Sequence, residues 1–231
     1  TKLMDEVVNL VDSPNVLLCK FDKKFLSVPK EILTLTMESH QKYFPTFNDK
    51  NEITETILGQ VLTASQGQNP ARQAHVLAGL PIESSAWNIN QVCGSGLRAV
   101  ALGAQQIESD SSNIIIAGGQ ESMSKSPHAI LFRKGQKMGN SKFIDTMIKD
   151  GLWDAFNGYH MGMTAENIAQ KWQINRMDQD KFAYESQKKA SDAQKNGKFK
   201  EEILPITIVS RNNEIKVDQD EYIKHDINRE G

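Results

Sequence analysis

Hydrophobic positions along this chain switch between two periods. Short apolar runs at Thr56–Leu62, Ala86–Val92 and Asn113–Ala117 are strand-sized, while Pro70–Ala78 and Gly94–Ile107 carry apolar residues at helical spacing. Pro70 falls in the first turn of its helix and Gly79 just past the end, as helix starts and stops favour. Further on, Thr164–Trp172 and Arg176–Asn196 predict two more helices, the second ended by Gly197. Phe199–Val209 and Glu214–Val217 return to strand character. Strands alternating with helices predict an α/β fold, a mostly parallel sheet flanked by helices on both faces. From about residue 124 to 163 the periodicity fades into Gly-, Lys- and Met-rich sequence, which predicts functional loops.

The first quarter is built differently. No glycine precedes Gly59, and all fifteen lie between there and Gly231. Here the pattern predicts a strand over Asn15–Phe21, a turn at Asp22–Lys24 and a helix opening near Ser27–Pro29. An extended run at Tyr43–Phe47 and a turn at Asn48–Asn51 follow. Composition adds mainly exclusions. The 231 residues are 39% apolar and 24% charged, an ordinary globular balance. A formal charge of −2 gives no drive toward nucleic acid or anionic membrane, and no apolar run approaches the ~20 residues of a membrane helix. Two cysteines, Cys19 and Cys93, are too few for a disulfide framework or a zinc site. With no signal peptide in the first thirty residues, the expected location is the cytoplasm.

The densest chemistry lies in Asn90–Ala99. A strand ends at Val92 and a helix follows at once, with Leu97, Val100, Ala101, Ala104 and Ile107 along one face. Gly94, Ser95, Gly96, Ala99 and Gly103 keep that helix slender enough to run close to other backbones. A thiol at a helix start faces unpaired amides and the positive end of the dipole, which favours the reactive thiolate. The dipole contributes about 1 kcal/mol, so a thiol placed there still needs a separate base or hydrogen-bonding partner. Two readings of Cys93 stand on these residues: a nucleophile, or a small buried hydrophobe filling a tight turn.

Asn90-x-x-Cys93-x-Ser95-Gly96-x-x-Ala99 resembles the acyl-enzyme signature of the thiolases. Ile57–Leu62, Gly67–Ala74, Ala117–Ser124, Asp145–Gly151, Gly158–Asn167 and Asp218–Lys224 are similar to the same family in the same order. The resemblance runs from about Glu52 to about Glu230. It implies the N-terminal half of a thiolase-like fold over residues 52–231, with a loop region at about 124–163 that covers coenzyme A and mediates tetramer contacts. It also implies that Cys93 takes an acetyl group from acetyl-coenzyme A. A second acetyl-coenzyme A, deprotonated at its α-carbon, would then condense with the acetyl-enzyme to give acetoacetyl-coenzyme A, reversibly as thiolysis. Cys-Gly-Ser-Gly and Tyr-His-Met-Gly look like the biosynthetic type.

By the same resemblance His160 and Met161 match positions beside the thioester, and Leu152 matches a pocket position. Tyr222 and Lys224 match a stretch near the nucleotide of coenzyme A. Lys224 stands where arginine is commoner, keeping the charge but losing the planar stacking face. Read without the family, His160 is an exposed loop histidine and Met161 is core filler. The resemblance implies coenzyme A thioesters as substrates, with no permanently bound cofactor and no metal. It implies a homo-oligomer, dimer or tetramer, with neither nucleic acid nor membrane as a partner.

Thiolases also need a histidine from a Gly-His-Pro segment and a second cysteine from Cys-x-Gly-Gly-Gly, and neither occurs here. His40, His75, His128, His160 and His225 match neither role. The expectation is that this chain alone has impaired or no turnover; the alternative is a non-catalytic coenzyme A-binding or assembly fragment. The family's first strand, with its Ala-Arg-Thr-Pro-like end, is missing too, which predicts a hydrophobic gap in the sheet unless Val16–Phe21 substitutes. In its place Leu3–Val11, Val16–Leu18, Phe21–Leu26, Val28–Leu33 and His40–Pro45 resemble the β subunit of bacterial glycyl-tRNA synthetase. That slice, residues 1–51, is expected to be a short α+β segment joined by fusion or by a mis-joined reading frame. Its balanced charges offer no basic stripe for RNA.

Overall fold

The computed structural model describes residues 16–19, 50–112, 114–200, 203, 205–210 and 213–226. They fall into two units that divide after Trp153. In the first, strands β1 (Val16–Cys19), β2 (Glu55–Gly59), β3 (Ser85–Ile89) and β4 (Ile115–Gly119) form one sheet in the order β1-β4-β2-β3. Every pairing is parallel, with Ile57 opposite both Ala117 and Trp87, and Val16 opposite Ile115.

Parallel neighbours need crossovers. Helix α1 (Pro70–Leu77) joins β2 to β3, and α2 (Ser95–Glu108) joins β3 to β4. These connections step in opposite directions along the sheet, so right-handed crossovers place the helices on opposite faces. The side-chain alternation of β2 and β4 serves both faces. Leu58 and Ile116 pack with Ala71, Ala74 and Leu80 of the α1 region, while Ile57, Ile115 and Ala117 pack with Ala99 and Val100 of α2. Each large aliphatic side chain buried in this way contributes about 1.5–3 kcal/mol. At the start of α1, Asn69 takes a left-handed conformation and its Oδ1 accepts the Arg72 amide at 3.0 Å.

The parallel α/β architecture matches the pattern of hydrophobic positions, with two corrections. Strand β3 stops at Ile89, short of Val92, and as an end strand of the described sheet it is only partly buried. Nor is there a gap between the described strands. Strands β2 and β4 pair directly, and Val16–Cys19 lies along the other side of β4. The remaining expectations for residues 1–15 and 20–49 lie outside the described residues.

Part of the stretch predicted as loop is ordered by side-chain caps. Strands β5 (His128–Ala129) and β6 (Ile144–Asp145) pair antiparallel, and helix α3 (Thr146–Gly151) follows. Asp145 Oδ1 accepts the amides of Met147 at 2.9 Å and Ile148 at 3.3 Å. The second unit opens with a turn between β7 (Trp153–Asp154) and β8 (Tyr159–His160). There Asp154 accepts the amides of Phe156 and Asn157, both at 2.9 Å, and the Asn157 side chain holds its carboxyl below the usual carboxylate range. Helix α4 (Met161–Lys171) begins before the predicted Thr164 because His160 Nδ1 accepts the Gly162 amide at 3.0 Å. Helix α5 (Arg176–Lys195) and an antiparallel pair, β9 (Ile206–Ser210) with β10 (Asn213–Val217), complete the unit. The parallel expectation is met by the four-stranded sheet, whereas the pairs β5–β6 and β9–β10 are antiparallel.

Candidate active site

The turn from β3 into α2 carries Cys93. Asn90 Oδ1 accepts the Val92 amide at 2.9 Å, and Val92 adopts φ +50°. A β-branched residue in the left-handed region is strained, at a cost of about 1–3 kcal/mol. Ser95 offsets part of that cost. Its buried hydroxyl donates to the Val92 carbonyl at 2.6 Å and accepts the Gln91 amide at 2.8 Å, while its own amide donates to Val92 O at 3.1 Å. The Gly94 amide closes the turn onto Gln91 O at 3.1 Å. Cys93 is thereby set ahead of the first helical residue, not within the helix, and it is exposed. That exposure removes the reading of Cys93 as a buried filler. The helix cap is Gly94, which supplies no side-chain acceptor to the first-turn amides.

Close backbone approach fixes where this turn sits. A Cβ on Gly59, at the end of β2, would lie 2.4 Å from the Ser95 carbonyl carbon and 2.5 Å from the Gly96 amide nitrogen. A Cβ on Gly119, at the end of β4, would lie 3.3 Å from Gly59 O and 3.5 Å from Gly96 Cα. Three glycines from two strands and the helix thus make a notch that larger residues would fill. It lies at the carboxyl ends of the strands, where parallel α/β sheets place their chemistry.

The chain ends leaving β2 and β4 are tied together beyond the notch. The Gln120 amide donates to Gly59 O at 2.9 Å, and Gln120 Nε2 donates to Gln60 Oε1 at 3.0 Å. Gln60 Nε2 donates in turn to Gln66 Oε1 at 2.6 Å. The Glu121 carboxylate accepts the amides of Val61 at 2.9 Å and Leu62 at 3.1 Å. The sequence named neither Ser95 nor Glu121 as a functional residue beyond its place in a motif. A serine two residues after the cysteine was the available signal for the first; for Glu121 the partner lies sixty residues away and leaves no local trace.

Of the other candidate residues, Leu152 belongs to the first unit, half-buried at the end of α3, with its amide donating to Ile148 O at 3.0 Å. His160, Met161, Tyr222 and Lys224 belong to the second unit and are exposed. His160 caps α4, Met161 is its first residue, and the Lys224 amide donates to Gln187 Oε1 at 3.1 Å. The described histidines are engaged elsewhere. His75 is buried between Thr56 and Pro81, His128 lies 3.9 Å from Asp145, and His225 is 2.8 Å from Ser191 Oγ. Among the described residues no group of three His, Cys, Asp or Glu side chains is arranged to hold a metal, and no helix is long and apolar enough to cross a membrane.

Known proteins are similar to this chain in sequence and in fold. The family model for the thiolase N-terminal domain matches residues 30–231, reaching back into the segment before residue 52. An acetyl-CoA acetyltransferase of Paracoccus denitrificans is 67% identical over 177 residues, covering 77% of this chain and 45% of that protein. The cytosolic acetyl-CoA acetyltransferase of Rattus norvegicus is 51% identical over 179 residues, covering 78% and 45%. The crystal structure of the Bacillus anthracis acetyl-CoA acetyltransferase superposes with a TM-score of 0.82 at 33% identity, covering 90% of this chain and 52% of that one. The chain spans about half the length of the relatives it matches.

Proposed function

The chain belongs to the thiolase family, and from that premise we propose that its chemistry is acyl transfer through Cys93. The observation that carries the reading is an exposed thiol on a strained turn ahead of α2, whose following residues Ser95 and Gly96 rest against Gly59. The Cys93 sulfur attacks the thioester carbonyl of acetyl-coenzyme A and the carbon–sulfur bond to coenzyme A breaks. The thiol proton leaves with the coenzyme A thiol, and the acetyl group stays on the enzyme. A second acetyl-coenzyme A then condenses with it to acetoacetyl-coenzyme A, or the reverse thiolysis runs. Leu152, His160 and Met161 face the acyl and pantetheine part in this reading, and Tyr222 and Lys224 the nucleotide part. Homology to acetyl-CoA acetyltransferases supports the acyl-transfer reading.

These 231 residues hold no Gly-His-Pro and no Cys-x-Gly-Gly-Gly segment. We infer that this stretch by itself makes an acetyl-enzyme slowly with impaired or no turnover, and that the protein is cytoplasmic and, as in the intact family, a homo-oligomer. Residues 1–51 are read as a segment resembling glycyl-tRNA synthetase β subunit, joined to residues 52–231. One uninterrupted genomic read across the locus tests that junction. The chemical test is incubation with acetyl-coenzyme A followed by peptide mass analysis. Acetylation is expected on the Cys93 peptide and is expected to vanish in Cys93→Ala; labelling that survives the substitution would refute the nucleophile. The engagement elsewhere of the described histidines favours a second reading, a non-catalytic coenzyme A-binding fragment. Coenzyme A binding without any acetylation of Cys93 would select it.

A further inference from the structure

We propose that Glu121 is a positioning residue for Cys93, acting through the notch in which the cysteine turn sits. This rests on the acyl-transfer reading. The carboxylate accepts two consecutive backbone amides, Val61 at 2.9 Å and Leu62 at 3.1 Å, from a chain sixty residues away. Both oxygens are acceptors and both amides are donors, a pairing that a carboxylate fills with one oxygen to each N–H. Charge-assisted bonds of this kind are about twice as strong as neutral ones.

What the clasp joins is specific. Val61 and Leu62 lie just beyond Gly59, and Glu121 lies just beyond Gly119. Those two glycines are the walls against which Ser95 and Gly96 rest. The sheet ladder ends at Gly59 opposite Gly119, so past that point the walls are held by side chains and by the Gln120 amide on Gly59 O. Ser95, pressed on Gly59, in turn holds the Gln91–Val92 turn that presents the thiol. Glu121 also holds the Leu62 backbone, and Leu62 Cδ2 would lie 3.6 Å from a Cβ placed on Gly151, the residue before Leu152. One carboxylate therefore sets both the seat of the cysteine turn and a wall beside the candidate pocket residue.

Glu121→Gln retains size but turns an amide NH2 toward one of the two N–H donors, opening half the clasp. In single-turnover acetylation by acetyl-coenzyme A, we expect the limiting rate at Cys93 to fall about tenfold, because small misplacements of a reacting group cost that much or more. The half-saturating acetyl-coenzyme A concentration should move less than about twofold, as should alkylation of Cys93 by iodoacetamide, which makes little demand on orientation. A parallel fall in acetylation and alkylation, or no fall in either, overturns the proposal. If the unsubstituted chain is alkylated normally but never acetylated, the acyl-transfer reading fails instead. Hydrogen exchange then decides the positioning role: faster exchange in residues 92–98 of Glu121→Gln upholds it, and a change confined to residues 60–63 overturns it.

Discussion

His75 shows what burial does to a single ionisable side chain. Its Nε2 lies 2.8 Å from the Pro81 carbonyl, which can only accept, so Nε2 carries the proton and Nδ1 accepts from the Thr56 hydroxyl at 2.8 Å. The ring is neutral and fully buried, and burial holds its pKa below the ordinary histidine value of 6.5, with the Arg72 charge pushing the same way and the Pro81 bond opposing. The unfolded chain takes up a proton near pH 6.5, whereas the folded ring resists until lower pH. Stability is therefore full above about pH 6.5 and is lost as the pH falls from there through the folded value. We expect the urea midpoint to drop between pH 7 and pH 5.5, and the drop to shrink in His75→Gln, which is less stable at pH 7 but has no ring to protonate. Equal slopes in the two proteins would contradict this account. Nothing in the sequence around His75 announces the burial; it is set by Thr56, on a strand nineteen residues earlier.

Two glycines of similar appearance in sequence have opposite standing in the elements they join. A Cβ at Gly59 would meet the backbone of Ser95 and Gly96 at 2.4–2.5 Å, so α2 would have to move. At Gly103, within α2, the nearest atoms are side-chain carbons of Ala117 and Ile115 at 3.4–3.5 Å, which is ordinary contact. We expect Gly59→Ala to lower the unfolding free energy by about 1–3 kcal/mol and to slow acetylation of Cys93. Gly103→Ala should be neutral or stabilise by up to about 1 kcal/mol, since glycine is a poor helix former. Denaturant unfolding of both variants checks the contrast; comparable losses would remove the notch from the account. The elements themselves were legible to different degrees. Helices α1 and α2 follow from periodicity because each buries one face against the sheet, and strand β4 from its unbroken apolar run, which packs on both faces. Helices α3 and the start of α4 escaped it, since Asp145 and His160 cap them and no long apolar stripe does. The turn at Val92 escaped for the opposite reason: a β-branched residue reads as strand, and only the bonds from Asn90 and Ser95 hold it left-handed.

Across the molecule the two units differ in how much they bury. The first has two hydrophobic clusters on either side of its sheet, whereas α4 buries no residue and α5 only Ser191. Trp172 is 68% exposed and Phe182 77%. Replacing both by serine should change the unfolding free energy by less than about 0.5 kcal/mol, as surface changes do, and should lower the fluorescence of an apolar dye bound to the chain. Ile57→Ala, from the sheet, should cost about 2–5 kcal/mol in the same experiment. A large loss from the serine pair would show that those side chains are packed in solution. Family and fold were legible because the motifs at Ile57–Leu62, Asn90–Ala99 and Ala117–Ser124 are the very segments that build the notch. The notch also has a hereditary side. Any single-base change that replaces a glycine either adds a side-chain carbon or ends the chain, and at position 59 the smallest such carbon already collides with backbone. Inherited variation can therefore reshape the loops around the cysteine step by step, while position 59 has no small step to take.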